Sequence, residues 1–210
     1  KDTYMKILSV DSSAIVASVA LSDDGRLLAE YTLNNKNTHS ETLLPMIESL
    51  LSFFSMSADD VDLFAVSTGP GSFTGVRIGT ATVKGLAFAK GKPCVGVSTL
   101  EAIAYNLRFH KGIVCPVMNA RRSQVYTAIF RSDGEKLERL TDDLAISISE
   151  LDTMLAEYNE EIVLAGDGYD ICEKGFATTS VRPVPERLRH QSAFSVAEAA
   201  LAEMLRQAPT

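Results

Sequence analysis

The order of predicted strands and helices is the feature that most constrains the fold of this chain. Short β-prone apolar runs come in groups of three, and each group precedes a segment whose apolar residues recur at spacings of three and four, which is typical of a helix. A buried strand and a second helix then complete the order βββαβα. The first set comprises strands at 6–10, 15–21 and 27–33, a helix capped by Thr38 and Glu41 that carries Leu43 to Phe54, a strand at 63–67 and a helix reaching about residue 90.

The same order recurs in the second half of the chain, as elements rather than as matching letters. We therefore expect an α/β protein with duplicated βββαβα lobes: a first lobe at 5–110, a shortened second lobe at 111–190, and a C-terminal helix at 191–207 that packs back on the lobes. The first lobe ends with a strand at 94–97 and a helix that begins at Ser98 with Glu101. Predicted for the second half are strands at 113–118, 125–131, 136–140 and 162–165, and helices that begin at Ser147 with Glu150 and at Ser195 with Glu198.

Composition narrows the class of protein. The chain has 210 residues, 46% hydrophobic and 22% charged, which is ordinary for a globular protein and excludes collagen-like, low-complexity and coiled-coil classes. Its formal net charge of −7 disfavours direct binding to a phosphate backbone. A role on nucleic acid would therefore need a basic partner.

The sequence contains no predicted membrane or export segment. The longest uncharged stretch, 63–76, is too short to cross a bilayer and is broken by glycines. Lys1 to Tyr4 form no apolar signal core, and we interpret them as an extension before a natural start at Met5. We expect a cytoplasmic protein without membrane association, in which Cys94, Cys115 and Cys172 are buried free thiols.

A glycine-rich loop joins the strand at 63–67 to the next helix. Exposed backbone N–H groups at such a position can bind phosphate, but the GxGxxxG spacing matches neither the Walker A pattern nor the dinucleotide fingerprint, so a tight turn explains it equally well. Asp11, at the tip of the first hairpin, is either a magnesium ligand beside phosphates or a turn aspartate. The candidate nucleotide-binding residues are Asp11, Gly69, Gly71 and Ser72.

Catalytic and metal motifs are not visible in the local sequence. His39, His110 and His190 are far apart and form no HExxH pair or catalytic triad, although ligands from distant segments remain open. Asn119 occupies the second-lobe position that corresponds to Asp11, and an amide there weakens metal binding. The adjacent Arg121 and Arg122 either meet an anion or are solvated surface.

The segment Ser67–Gly79, STGPGSFTGVRIG, closely resembles the TsaB (YeaZ) family. The similarity is dense from Met5 to about Arg131 and thin afterwards. Further matching segments are KILSVDSS at 6–13, HSETLLP at 39–45, VSTLEA at 97–102 and NARR at 119–122.

This resemblance implies a fold and a function. The fold is the two-lobed ASKHA fold of acetate kinase, sugar kinases, Hsp70 and actin. TsaB proteins are non-catalytic subunits that pair with the paralogue TsaD and, with the ATPase TsaE, support transfer of a threonylcarbamoyl group to the adenosine next to the anticodon of tRNA. The family implies tRNA contact only through the complex, ATP or ADP at the complex interface rather than in the isolated chain, and a homodimer when the partner is missing.

The resemblance also implies residue roles. Thr99 and Ile103 stand where TsaD carries its metal-binding histidines, so we expect no catalytic iron or zinc. Pairing in the family uses the first-lobe helices, and we expect Ile47 on an exposed face and Gly79 at a close helix contact. The resulting interface residues are His39, Leu43, Ile47, Leu50, Phe54, Phe73, Val76, Arg77, Thr80 and Val83. The alternatives are an ATPase or kinase that uses Asp11 and the glycine loop and, ranked last, a peptidase.

Overall fold

The computed structural model describes residues 5–34 and 39–207. Among these, the strands are β1 (Lys6–Asp11), β2 (Ala17–Asp23), β3 (Arg26–Leu33), β4 (Leu63–Ser67), β5 (Cys94–Val97), β6 (Lys111–Arg121), β7 (Gln124–Thr127), β8 (Phe130–Asp133), β9 (Leu137–Arg139), β10 (Leu144–Ser147) and β11 (Ile162–Ala165). The α-helices are α1 (His39–Phe53), α2 (Phe73–Lys90), α3 (Thr99–Tyr105), α4 (Ile148–Leu155), α5 (Tyr169–Gly175) and α6 (Ala193–Gln207).

The described chain divides into two compact units. The first holds the residues up to Ala102 together with those from Gln191 onward, and the second holds Ile103–His190. The C-terminal helix α6 thus belongs to the first unit. The division falls inside α3, whereas the sequence placed it after residue 110.

The first unit is built on a five-stranded sheet in the order β3-β2-β1-β4-β5. β1, β4 and β5 are parallel, while β2 pairs antiparallel with both β1 and β3. All five residues of β4 are buried, as expected for a parallel strand covered on both faces. Helices α1 and α2 pack over the cluster that contains Leu8, Val10 and Val66, and α6 contacts the same strands.

The second unit has β6 at its centre, parallel to β11 and antiparallel to both β7 and β8. The single strand predicted at 125–131 is broken into β7 and β8 by an interruption at 128–129. The strand predicted at 136–140 corresponds to β9, and the sequence missed β10, which follows after 140–143. At the break, Ile129 N donates to Thr141 Oγ1 at 2.9 Å, and Ile129 O accepts from Leu140 N at 2.8 Å. The βββαβα order therefore persists, with its second strand interrupted and β10 added before α4.

Helix boundaries test the capping predictions. The Ser147 and Glu150 box is confirmed, since Ser147 Oγ accepts from Glu150 N at 3.2 Å and Glu150 Oε2 accepts from Ser147 N at 2.8 Å. The predicted start of the last helix at Ser195 is wrong. The helix begins at Ala193, and the Oγ of Ser192 accepts from Ser195 N at 3.3 Å. The predicted cap Thr38 lies outside the described residues.

Two further expectations concern hydrophobic segments and thiols. No helix in the described part of the chain is both long and apolar enough to cross a membrane. All three cysteines are free, and Cys115 and Cys172 are buried as predicted. Cys94 is only half-buried.

Candidate functional site

Asp11 ends β1 at the carboxyl edge of the first sheet, and its side chain is enclosed by the protein. Its Oδ1 accepts from Ser13 N at 2.9 Å and from Ser13 Oγ at 2.7 Å. Its Oδ2 accepts a hydrogen bond from the hydroxyl of Ser67, the last residue of β4. Both carboxylate oxygens are thus engaged in tying the ends of two neighbouring strands together.

The glycine-rich loop after β4 is anchored in the same way. Gly69 O accepts from Thr99 N at 2.8 Å, and Ser72 N donates to Ser13 O at 2.6 Å. Ser72 Oγ accepts from Gly75 N at 3.2 Å and so caps α2. The amides of Ser72 and Gly75, which a phosphate at this helix start would require, already donate within the protein.

The structure therefore brings three of the predicted nucleotide-binding residues, Asp11, Gly69 and Ser72, into one bonded region, and Gly71 lies in the same loop. These bonds engage both carboxylate oxygens of Asp11, the carbonyl of Gly69 and the amide and hydroxyl of Ser72. We call Asp11, Ser12, Ser13, Ser67, Gly69 and Ser72 the Asp11 clamp, because their hydrogen bonds join two strand ends to the start of α2.

Two glycines of α2 allow this clamp to close. A Cβ at Gly75 would lie 2.1 Å from Ser12 O, and one at Gly79 would lie 2.2 Å from Ser12 Oγ. Ser12 Oγ also donates to Gly75 O at 2.9 Å. The close approach predicted at Gly79 is therefore to Ser12 of the same unit, and the expectation of a contact with another helix is wrong.

Burial gives Asp11 a pH signature. Burial raises the pKa of Asp11, against the lowering effect of hydrogen bonds from Ser67 and Ser13. The folded protein then binds the proton more tightly than the unfolded chain, so this group's stabilising contribution is lost as the pH rises through the folded pKa. We expect wild type to gain stability relative to Asp11→Asn on acidification from pH 7 to pH 4, by about 1.4 kcal/mol for each pH unit between the two pKa values.

Urea unfolding of both proteins at each pH measures this difference. Because all other groups are shared, their titration cancels in the comparison. A difference that moves in favour of Asp11→Asn as the pH falls would contradict the assignment.

Several predicted interface residues lie in the core of the first unit. Ile47 is only 2% exposed, so its predicted exposed face is wrong. The 3.6-residue periodicity identified the stripe that faces the sheet, which is why these side chains cannot reach a partner in this fold. The buried residues of the set are Leu43, Ile47, Leu50 and Val83, and the half-buried ones are His39, Phe54, Val76 and Thr80.

The outer faces of α1 and α2 carry the exposed apolar side chains. On α2, Phe73 is 73% exposed and Phe88 is 90% exposed, and Arg77 stacks over the Phe73 ring at 4.6 Å. On α1, Leu44 and Phe53 are exposed. We call Phe73, Arg77, Gly85 and Phe88, the exposed residues along one side of α2, the outer helix face. The sequence predicted Phe73 and Arg77 for this surface and missed Phe88.

Gly85 lies on the same face. A Cβ at Gly85 would meet nothing within 4 Å, whereas Gly75 and Gly79 are obstructed by Ser12. No part of the described chain therefore requires a glycine there. In an exposed helix a glycine costs about 1 kcal/mol relative to alanine, so the folded unit alone gives no reason for it.

The second unit has its own polar group at the carboxyl ends of β6 and β11. Asp167 Oδ1 accepts from Asn119 N at 3.0 Å, and Asn119 Oδ1 accepts from Arg121 N at 2.8 Å. Burial raises the pKa of Asp167. Arg121, Arg122 and Ser123 all have positive φ, between 51° and 67°, which holds the hairpin tip in a sparsely populated backbone conformation. The sequence missed Asp167, for which the Gly-Asp-Gly run after β11 was the available signal.

Thr99 and Ile103, which stand where TsaD proteins were expected to carry metal-binding histidines, are both buried within α3. Among residues 5–34 and 39–207, no three histidine, cysteine or carboxylate side chains are close enough to hold a metal ion.

Comparison with known proteins identifies the family. The chain is 35% identical to the tRNA threonylcarbamoyladenosine biosynthesis protein TsaB of Bacillus subtilis over 162 residues, which cover 77% of this chain and 71% of that protein. The chain belongs to the TsaB family. A family model described as TsaD, tRNA N6-adenosine threonylcarbamoyltransferase, matches residues 26–208.

Solved structures agree with this TsaB assignment. YeaZ from Pseudomonas aeruginosa is 27% identical, with a TM-score of 0.81, and the match covers 97% of this chain and 93% of that one. A ROK hexokinase from Thermus thermophilus, 11% identical, has a TM-score of 0.53 with 95% and 100% coverage. The second likeness concerns the fold alone. Together they confirm the α/β ASKHA fold predicted for this TsaB-family chain.

Proposed function

We propose that this chain is the TsaB-type subunit of a tRNA N6-threonylcarbamoyladenosine synthesis complex and that it acts by pairing with and activating TsaD. The outer helix face is the observation that carries the proposal. On this face, the side chains of Phe73 and Phe88 are 73% and 90% exposed. Large exposed aromatic side chains are typical of a protein interface, where aromatic residues and arginine are enriched.

The chemistry of this face suits a helix-to-helix contact. Gly85 leaves room for the backbone of a partner to approach α2 closely, and Phe73 and Phe88 lie on either side of it along the helix. Arg77, already stacked on Phe73, offers a guanidinium at the same surface. In the absence of TsaD the same face supports a homodimer, because a second copy offers the same apolar side chains.

The remainder of the proposal assigns chemistry to the partners. The Asp11 clamp has its hydrogen-bonding groups engaged internally, which supports a non-catalytic role for this chain. The formal net charge of −7 supports placing most tRNA contacts on other subunits. TsaE and the nucleotide then dock on the assembled complex, which works in the cytoplasm.

A pair of exposed positions tests the pairing surface. We expect Phe88→Asp to weaken association with TsaD from the same genome by at least about 30-fold, because interface aromatic residues of this kind are worth about 2 kcal/mol or more and the new carboxylate would be desolvated. Size-exclusion chromatography with light scattering, run over a series of concentrations, measures the heteromer.

Leu205→Asp is the matched control. Leu205 is 77% exposed on α6, outside the outer helix face, so the substitution adds the same charge at an equally open helical position. We expect the control to pair like wild type. Loss of pairing in both variants, or in neither, would contradict the assignment of this surface.

A reconstituted modification reaction tests the non-catalytic role. With TsaD, TsaE, tRNA, ATP and threonylcarbamoyl-adenylate supplied, Asp11→Asn is expected to support product formation at the wild-type rate, and Phe88→Asp is expected to lose it. The alternative of an independent ATPase that uses Asp11 predicts ATP turnover by the isolated chain that Asp11→Asn removes. That result would replace the proposal.

A further inference from the structure

A pocket of about 410 Å³ lies in the second unit and is lined by residues within 107–111, 161–163 and 182–188. Lys111 begins β6, and Glu161 immediately precedes β11, so the pocket lies at the amino ends of these two parallel strands. Asn119 and Asp167 lie at the opposite, carboxyl ends. The pocket has the size typical of small-molecule sites.

Most of the residues that line the pocket are apolar. Its walls include Leu107, Val163, Val184 and Leu188, and Phe109, which is 61% exposed, lies among the lining residues with its ring largely uncovered. Apolar walls with one accessible aromatic ring favour a flat hydrocarbon body, because ring stacking adds to the burial of apolar area.

The wall that carries Val184 and Leu188 is held in place by side chains of its own unit. Asn106 Nδ2 donates to Leu188 O at 3.2 Å and to His190 O at 2.7 Å. Arg189 Nε donates to Val184 O at 2.7 Å. Since these bonds fix the backbone of the wall, a ligand would find the pocket already formed and would lose less free energy on ordering it.

The polar rim carries an excess of positive charge. Glu161 supplies the only carboxylate among the lining residues, and its Oε2 accepts from Arg182 Nη1 at 2.9 Å. His110 Nε2 donates to Glu161 O at 3.1 Å, and its Nδ1 lies 3.6 Å from Glu161 Oε2. Lys111 makes no ion pair with any carboxylate in the described ranges 5–34 and 39–207. The Lys111 stem lies beside Gly134, where an added Cβ would be 3.1 Å from Lys111 Cε. Lys111 is therefore the one lining cation without a carboxylate partner among the described residues.

We propose that this pocket binds a small organic acid with a flat apolar body. The hydrocarbon part lies between Phe109 and the wall formed by Val184 and Leu188, and the acid group lies at the rim near Lys111. Charge complementarity favours an anion over a neutral compound, because the one carboxylate of the lining is already paired with Arg182.

Two fluorescent probes test this proposal. 8-Anilinonaphthalene-1-sulfonate has a flat aromatic body and one anionic group, and N-phenyl-1-naphthylamine has the same body without the charge. We expect the sulfonate to bind the wild-type chain with a single dissociation constant below about 1 mM. Leu188→Trp, which fills the pocket, is expected to raise that constant at least about tenfold through lost burial of the rings.

The charge at the rim is tested separately. Lys111→Gln is expected to weaken the sulfonate about fivefold and to leave the neutral probe unchanged, since only the anion interacts with the ammonium. Lys136→Gln is the control, because Lys136 is an exposed lysine of the same unit that does not line the pocket. Equal effects of the two lysine substitutions would overturn the placement of the anion.

A further variant tests whether the sulfonate binds outside the pocket. The outer helix face offers exposed phenylalanines, so Phe88→Ser is measured beside the pocket variants. A signal lost in Phe88→Ser but kept in Leu188→Trp would overturn the proposal. If urea unfolding shows that Leu188→Trp does not fold, Phe109→Ala takes its place, because that exposed ring can be removed without opening the core. Unchanged sulfonate binding by Phe109→Ala would overturn the proposal.

Discussion

Gly75→Ala is expected to destabilise the first unit by roughly 3 kcal/mol, the upper range for overpacking a tight site. The added methyl group would lie 2.1 Å from the backbone oxygen of Ser12. Ser12 cannot give way cheaply, because its neighbour Ser13 bonds to Asp11 and accepts from Ser72 N, and Asp11 in turn holds Ser67. Relieving the clash at Ser12 would therefore disturb the hydrogen bonds that Ser13 makes with Asp11 and Ser72.

Gly85→Ala provides the matched control in the same helix. Nothing lies within 4 Å of the new methyl group, so the substitution is expected to stabilise the isolated chain by about 0.5 to 1 kcal/mol through helix propensity. Urea unfolding followed by circular dichroism measures both variants. Similar stabilities for the two variants would show that the Ser12 contact does not constrain α2.

The first unit could be predicted closely from the sequence because its signals are local. The strand at 63–67 and the strand at 94–97 were predicted with the bounds they have, since apolar runs bounded by turns are read directly from the chain. In the second unit, the capping box at Ser147 was equally local. The start of α6 was missed because Ser192 and Ser195 both precede apolar residues, and the choice between them depends on a bond from Ser192 to the distant Glu30.

The functional surface was less predictable, for a physical reason. A helix with two apolar stripes gives the same periodicity whichever stripe faces the sheet. On α1 the sequence therefore selected the stripe of Ile47, which packs inside, over Leu44 and Phe53, which are exposed. Only the position of the sheet separates the two.

Long-range polar contacts explain the other omissions. The pairing of Asp167 with Asn119 joins residues 48 positions apart, and the pocket collects residues from three separate segments. Neither the Asp167–Asn119 pair nor the pocket follows from the short-range residue spacings that predict helices and strands. Three residues of the Asp11 clamp, Asp11, Gly69 and Ser72, were selected from the sequence as a group, but the hydrogen bonds that join the clamp could not be read from it.

Asp152→Asn is expected to destabilise the second unit by about 3 kcal/mol. Asp152 lies on α4, only 5% exposed, and its carboxylate accepts from Ala177 N at 2.8 Å, Thr178 N at 3.0 Å and Thr179 N at 2.8 Å. Hydrogen bonds to a charged acceptor are worth about 1.5 to 3 kcal/mol each. An asparagine would turn one acceptor into a donor that faces these N–H groups, so at least one bond is replaced by repulsion.

The pH dependence of this loss distinguishes a charged acceptor from simple packing. Burial acts to raise the pKa of Asp152, but the hydrogen bonds from Thr179, Ala177 and Thr178 outweigh it and lower the pKa. A carboxyl whose folded pKa is depressed stabilises the fold above its unfolded pKa and loses that contribution as the pH falls. The gap between wild type and Asp152→Asn should therefore narrow from pH 6 to pH 3 in urea unfolding, while Asp142→Asn, an exposed control, shows no gap at either pH. A gap that stays constant would mean that the carboxylate charge contributes nothing to the hold on residues 177–179.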